Sequence, residues 1–150
     1  MGVWFEGSDK IDCDIQQVKD AFENYGEHYV QVISLMPGLT SVELVEEGHD
    51  HVVIRTNEGL MKRTNITKHI DAESVTVDFD EEYQAGSKIT TKSHFSDQFT
   101  TSKPGVKHRT TISDVEASGL LGFFYRNLAS SNIGKAILSS YKSYFESQGA

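Results

Sequence analysis

Ser74-Val75-Thr76-Val77-Asp78-Phe79-Asp80-Glu81-Glu82 alternates apolar and polar side chains, with Val75, Val77 and Phe79 on one side and Thr76, Asp78 and Asp80 on the other. Successive side chains of a strand point to opposite faces, so this segment is a strand with one face for a core and one for water. The same period of two extends in both directions from it. Turn-forming clusters interrupt it at Gly48 to Asp50, Asn57-Glu58-Gly59, Asp71-Ala72-Glu73, Ala85-Gly86-Ser87 and Lys103-Pro104-Gly105. Between these turns the pattern predicts six strands, at Thr40 to Glu47, His51 to Thr56, Leu60 to Ile70, Ser74 to Glu82, Lys88 to Thr100 and Val106 to Glu116. Connections this short join antiparallel neighbours, which makes the region a meander.

Helical spacing flanks the meander on both sides. An extended segment, Trp4 to Asp12, reads as a first strand. Asp14-Ile15-Gln16-Gln17 then has the form of a capping box, and Ile15, Val18, Ala21, Phe22 and Tyr25 repeat at helical spacing up to Gly26, where the helix is expected to stop. A second short helix is expected from His28 to Leu35, ended by Met36-Pro37-Gly38. After Ser118, Leu121, Phe124 and Leu128 form one apolar stripe, and Ile133, Ile137, Tyr141 and Phe145 form another out of phase with it. This predicts a short lead-in helix or a kink, then a long amphipathic helix.

Composition narrows the function. The 150 residues carry 14 Lys+Arg and 22 Asp+Glu, a net charge of −8, and 37% of them are apolar. That length and apolar content suit one folded unit spanning residues 1–150, with no internal repeat or linker. No clustered basic face is present to neutralise phosphates, so nucleic acid is not an expected partner. No apolar run approaches the roughly 18 residues of a membrane span, so integral membrane association is not expected either. Cys13 is the single cysteine and cannot form an intramolecular disulfide. With no basic-then-apolar leader at Met1 to Glu6, a cytoplasmic location is the expectation.

The order of strand, two short helices, six-strand meander and long C-terminal helix resembles the helix-grip fold of the START and Bet v 1-like superfamily, in particular its polyketide cyclase-like and lipid-transport-like members. The resemblance covers nearly the whole chain. It rests on Val18-Lys19-Asp20-Ala21-Phe22 followed by Met36-Pro37-Gly38-Leu39, on Val45-Glu46-Glu47-Gly48-His49-Asp50, and on Gly119-Leu120-Leu121-Gly122-Phe123-Phe124 before the last helix. It implies an α+β fold in which a seven-stranded curved antiparallel sheet grips the long helix over a hydrophobic cavity. The Gly-rich loop of the plant-allergen branch has no match at Glu47 to Asp50.

If the cavity is present, the inward faces name its candidates. The sixth strand offers Thr91, Ser93, Phe95 and Asp97, the seventh His108 and Thr110, and the helical region Phe124, Ile137 and Tyr141. Apolar anchors mixed with a few polar groups suit a small hydrophobic or amphipathic ligand. The same hydroxyls could equally pair across strands, and the aromatics could equally be plain core. On the fourth strand, Leu60, Ile66 and Ile70 place Lys62, Thr64 and Lys68 on their face, and either lysine could hold a ligand carboxylate. A cyclase or dehydratase would need a base, from His108 or Asp97, and a donor to an enolate oxygen, from Ser93, Thr110 or Tyr141. His49-Asp50-His51 carries metal-donor types without a third or fourth ligand nearby in sequence, so no metal is expected. No nucleotide, hydrolase or metalloprotease motif occurs, and no cofactor is expected. Binding or carriage of a hydrophobic molecule is the leading expectation, with a cyclase-like enzyme or a protein-interaction scaffold as alternatives.

Overall fold

A computed structural model describes residues 2–85, 89–102, 105–117 and 130–148. The elements run β1 (Val3–Ile11), α1 (Ile15–Glu23), α2 (Tyr25–Ile33), β2 (Val42–Glu47), β3 (Val52–Thr56), β4 (Gly59–Ile70), β5 (Ser74–Ala85), β6 (Ile89–Thr101), β7 (Val106–Ala117) and α3 (Ser130–Gln148). The strands form one antiparallel sheet in the order β1-β7-β6-β5-β4-β3-β2, so the meander is intact and β1 returns to pair with the last strand. α3 packs on β1, β7 and α2, gripped by the curved sheet, and this is the helix-grip α+β arrangement. The core between the layers is formed by Val75, Val77 and Phe79 of β5, Phe95 and Phe99 of β6, Ile112 of β7, and Tyr141 and Phe145 of α3. The expected lead-in stripe of Leu121, Phe124 and Leu128 lies outside the described residues.

The α1 cap forms as its sequence implies. Asp14 Oδ1 accepts from the Gln17 amide at 3.1 Å, and Gln17 Oε1 accepts from the Asp14 amide at 3.0 Å. Val18 and Phe22 are its buried residues. The break between the short helices, however, falls at Asn24 and not at Gly26. Asn24 takes φ −125° and ψ 59°, which is outside helical space, and α2 begins at Tyr25 and ends at Ile33. Gly26 sits in the first turn of α2, where its N–H donates to Glu47 Oε2 at 3.1 Å. A Cβ there would meet that carboxylate, which would have to swing aside and give up this bond.

β4 departs most from its alternation. Thr64 pairs with Asp80 and Thr67 with Asp78, so Asn65 and Ile66 together stand opposite Phe79 alone. Asn65 is the extra residue of a β-bulge, with φ 54°, a left-handed conformation that asparagine tolerates better than most side chains. Before the bulge the buried side chains are Met61 and Arg63, and after it Ile66. Leu60, Lys62 and Thr64 therefore do not share a face with Ile66. Lys62 is exposed, and Lys68 sends Nζ to the Phe22 carbonyl at 2.9 Å, 4.7 Å from the Tyr25 ring centroid. A second bulge lies between β6 and β7, where Lys92 pairs with Glu116 but His94 with Ser113, and Asp114 takes φ 55°.

Candidate ligand cavity

The inner face of the sheet and α3 do not close on each other along their whole length. A cavity of about 230 Å³ remains near the Ile133 end of α3. Met61 of β4, Phe95 of β6, Ile112 and Val115 of β7, and Ile133 and Ile137 of α3 supply apolar walls. Trp4 of β1, Ile33 at the end of α2, and Met36, Pro37 and Leu39 of the following turn complete them. That turn is fastened to the β3–β4 hairpin by Asn57, whose Nδ2 donates to the Gly38 carbonyl at 3.2 Å and whose Oδ1 accepts from the Thr40 amide at 2.9 Å.

Polar groups on the wall come from β4, β5, β6 and the β3–β4 turn. Thr91 and Ser93 face the cavity from β6. Tyr83 faces it from β5, with its hydroxyl 3.3 Å from Thr56 Oγ1 and 3.4 Å from Glu58 Oε1. Arg63 and Glu81 form the charged part of the wall. They are register partners across β4 and β5, and Glu81 Oε2 accepts from Arg63 Nη2 at 3.1 Å and from Nε at 3.2 Å. The guanidinium carbon lies 4.5 Å from the Tyr29 ring centroid and 4.4 Å from that of Phe79, a cation between two aromatic faces. Burial opposes the charge on Arg63, but Glu81, Tyr141, Tyr29 and Asp97 together outweigh it and keep the group a firm cation. Burial pushes the Glu81 carboxyl above its ordinary value, against the pull of Arg63.

The expected site residues divide between two compartments. Thr91, Ser93, Phe95 and Ile137 border the cavity. Asp97, His108, Thr110 and Tyr141 lie on the same inner faces but away from the cavity wall, sealed where α3 closes on the sheet, and each is at most 2% exposed. The Thr110 hydroxyl donates to Asp97 Oδ1 at 2.5 Å, and His108 Nε2 lies 2.8 Å from the same oxygen. His108 stacks on Phe99 at 4.3 Å with 7° between the planes, and Tyr141 meets its ring edge-on at 4.8 Å. Burial raises the Tyr141 phenol well above its ordinary value, with the Asp97 charge adding to it. This arrangement satisfies a buried carboxylate inside aromatic packing and presents no base to the cavity. Phe124 lies outside the described residues. Lys62 and Lys68 are not on the wall: the Asn65 bulge turns Lys62 outward and Arg63 inward, and Lys68, on the side of Ile66, reaches the Phe22 carbonyl of α1 instead. His51 of the hairpin triplet is bound to Glu46, Nε2 to Oε2 at 2.7 Å.

Two features escaped the sequence reading. The bulge hides Arg63 from the periodicity of β4, whereas Glu81 simply continues the inward alternation of Val75, Val77 and Phe79 on β5. The other is His28, which is 2% exposed, with Phe22, Tyr29, Tyr141, Tyr144 and Phe145 ring centroids between 4.6 and 5.7 Å away. Its position in the apolar pattern of α2 was the available signal.

No protein-family model matches the chain, and no curated protein matches it. Solved structures do. A conserved protein from Geobacillus kaustophilus superposes with a TM-score of 0.66 at 13% identity, over 99% of this chain and 94% of that one. A STAR-related lipid transfer protein fragment from Xanthomonas axonopodis gives 0.54 at 13% identity, over 93% and 84%. The Zhui aromatase/cyclase from Streptomyces sp. R1128 gives 0.52 at 12% identity, over 97% and 94%. At such identities the likeness is one of fold, and function does not travel with it.

Proposed function

We propose that this chain, which has the helix-grip fold of the START and Bet v 1-like superfamily, binds or carries a small hydrophobic or amphipathic molecule between its sheet and α3. The observation that carries this reading is the cavity, with apolar walls over most of its surface and hydroxyls gathered on one side, the composition of a small-molecule pocket. Its neighbours in fold include a lipid transfer protein, in keeping with a ligand of this kind. The cyclase or dehydratase alternative needs a base beside the substrate. His108 and Asp97, its candidates, are packed under α3 instead, so the binding reading has the better support.

An apolar fluorescent probe tests the reading. It should bind one saturable site and raise the unfolding free energy by mass action, by about 2.7 kcal/mol at a hundred times its dissociation constant. Ser93→Phe places a ring in the cavity and should abolish probe binding while the melting temperature shifts little. Should the unaltered protein bind no apolar probe or lipid, the scaffold alternative takes the place of the carrier.

A further inference from the structure

We propose that the ligand enters and leaves between the α2–β2 turn and the β3–β4 turn, and that Asn57 is the latch that holds these turns together. This rests on the binding reading above and deepens it by giving a route into that cavity. Pro37 and Glu58 both border the cavity and both are exposed, whereas the other described residues of the wall are half-buried or buried. Pro37 stands on the first of the two turns and Glu58 on the second, so the wall meets solvent where the turns face each other. The two lips are close, since a Cβ on Gly38, next to Pro37, would lie 3.9 Å from Glu58 Oε2.

The α2–β2 turn is suited to swing. It supplies Met36, Pro37 and Leu39 to the wall, so moving it carries three apolar side chains out together while the strand ladders and α3 stay in place. Its ties to the β3–β4 turn converge on one side chain: Asn57 Nδ2 donates to the Gly38 carbonyl at 3.2 Å, and Asn57 Oδ1 accepts from the Thr40 amide at 2.9 Å and the Ser41 amide at 3.5 Å. On the inner side, Met36 Sδ accepts from Ser140 Oγ at 3.3 Å, a weak bond, and Ser140 keeps the Ala136 carbonyl at 2.8 Å when Met36 leaves. Gly38, at φ 86°, gives the turn a backbone position that can rotate at little steric cost. Exposed segments held by few bonds belong to the part of a fold that opens most easily. The latch bonds are present whether or not the cavity is filled. Weakening them therefore raises the open population of free and loaded protein alike, which speeds entry and exit equally and leaves affinity unchanged.

The test is stopped-flow binding of the apolar fluorescent probe, followed through Trp4, the single tryptophan of the chain and a residue of the wall. In Asn57→Ala the association and dissociation rates should each rise about tenfold, with the dissociation constant kept within about twofold. Unchanged rates overturn the latch. Faster dissociation alone, with affinity lost, also overturns it, because damage to the wall has that signature. A second variant tests the route itself. Pro37→Cys combined with Glu58→Cys, bridged by a bifunctional disulfide-forming reagent, ties the two lips together; Cys13 is buried and its thiol, pushed up to about 11 chiefly by burial, stays out of the reaction. Bridging should slow both rates at least about tenfold, and reduction of the bridge should restore them. Rates that are the same with and without the bridge overturn the route and leave the binding reading standing. Failure of the probe to bind the unaltered protein overturns the binding reading and the route with it.

Discussion

Arg63 and Glu81 face one another in register across β4 and β5, with one carboxylate oxygen taking both guanidinium bonds, and both side chains are close to fully enclosed. A buried pair of this kind contributes little net stability compared with apolar residues of the same volume, but leaving one partner alone strands a charge. Arg63→Met or Glu81→Leu alone should each cost roughly 3 to 5 kcal/mol, and the double replacement far less than their sum. The double variant should still lose the stacking of the guanidinium between Tyr29 and Phe79. Denaturant unfolding of the four proteins in a double-mutant cycle measures the coupling, and additive costs would refute a strong pair.

Ile137 and Phe145 lie two turns apart on α3 but in different surroundings. Ile137 borders the cavity, whereas Phe145 is 0% exposed and packs against Phe99, Tyr144 and His28. Truncation next to existing empty space removes fewer contacts than truncation in dense core. Ile137→Ala is thus expected to cost about 1 to 2 kcal/mol and Phe145→Ala about 3 to 5 kcal/mol. Urea unfolding decides this, and equal costs would mean that the cavity is filled in solution.

The strands and the α1 cap were legible because each has a local cause. Val75, Val77 and Phe79 alternate whatever the rest of the chain does, and Asp14 and Gln17 need only each other. The inner faces of β6 and β7 were legible for the same reason, and Thr91, Ser93 and Phe95 stand on one of them. What was not legible depends on events between elements. Asn65 leaves no mark in the alternation that separates a bulge from a regular strand, and so regular alternation through Ile66 turns Lys62 inward where the structure has Arg63. Asn24, an ordinary helix-surface residue in sequence, ends α1 because α2 must turn to meet Glu47. Nor does periodicity give depth: His108 and Thr91 share the inner side, yet α3 reaches one and stops short of the other.

His28 predicts an acid limb in the stability profile. Burial, helped by the nearby Arg63 and His108, pushes its pKa down to about 3. Its unfolded value is near 6.5, so between these values the unfolded chain takes up a proton that the folded protein refuses. Its contribution is fully present above about pH 6.5 and is lost as pH falls toward the folded pKa, with a slope of up to about 1.4 kcal/mol per unit. The carboxylates held below their ordinary range, Asp71, Asp80 and Glu146, lose their bonds only at lower pH. His28→Phe keeps a ring among the aromatics and removes the titration. Comparison of the two proteins between pH 6.5 and 5 should show a flatter profile for the variant, and parallel profiles would refute a buried neutral imidazole.

Asn65 carries the bulge that sets the cavity's charged wall apart from the rest of β4. Its φ of 54° suits asparagine or glycine and penalises a β-branched residue, while its Nδ2 donates to Asp80 Oδ2 at 2.9 Å. Asn65→Gly keeps the backbone conformation accessible and should cost less than about 1 kcal/mol, whereas Asn65→Val should cost about 2 kcal/mol or more. Deletion of Asn65 is the sharper experiment. Without the extra residue, Arg63 and Ile66 still fall on the inner face, because Thr64 and Ile66 become neighbours and the alternation closes regularly. The deletion variant should therefore fold, keep Arg63 against Glu81 and bind the apolar probe, with only local shifts in the amide spectrum around Asp80 and His94. An insertion of one glycine between Met61 and Lys62 should instead turn Met61 and the residues before it outward while Arg63 stays paired, or force a new register, and probe binding should be lost. Loss of the fold on deleting Asn65 would show that β4 needs the bulge for curvature and not merely tolerates it.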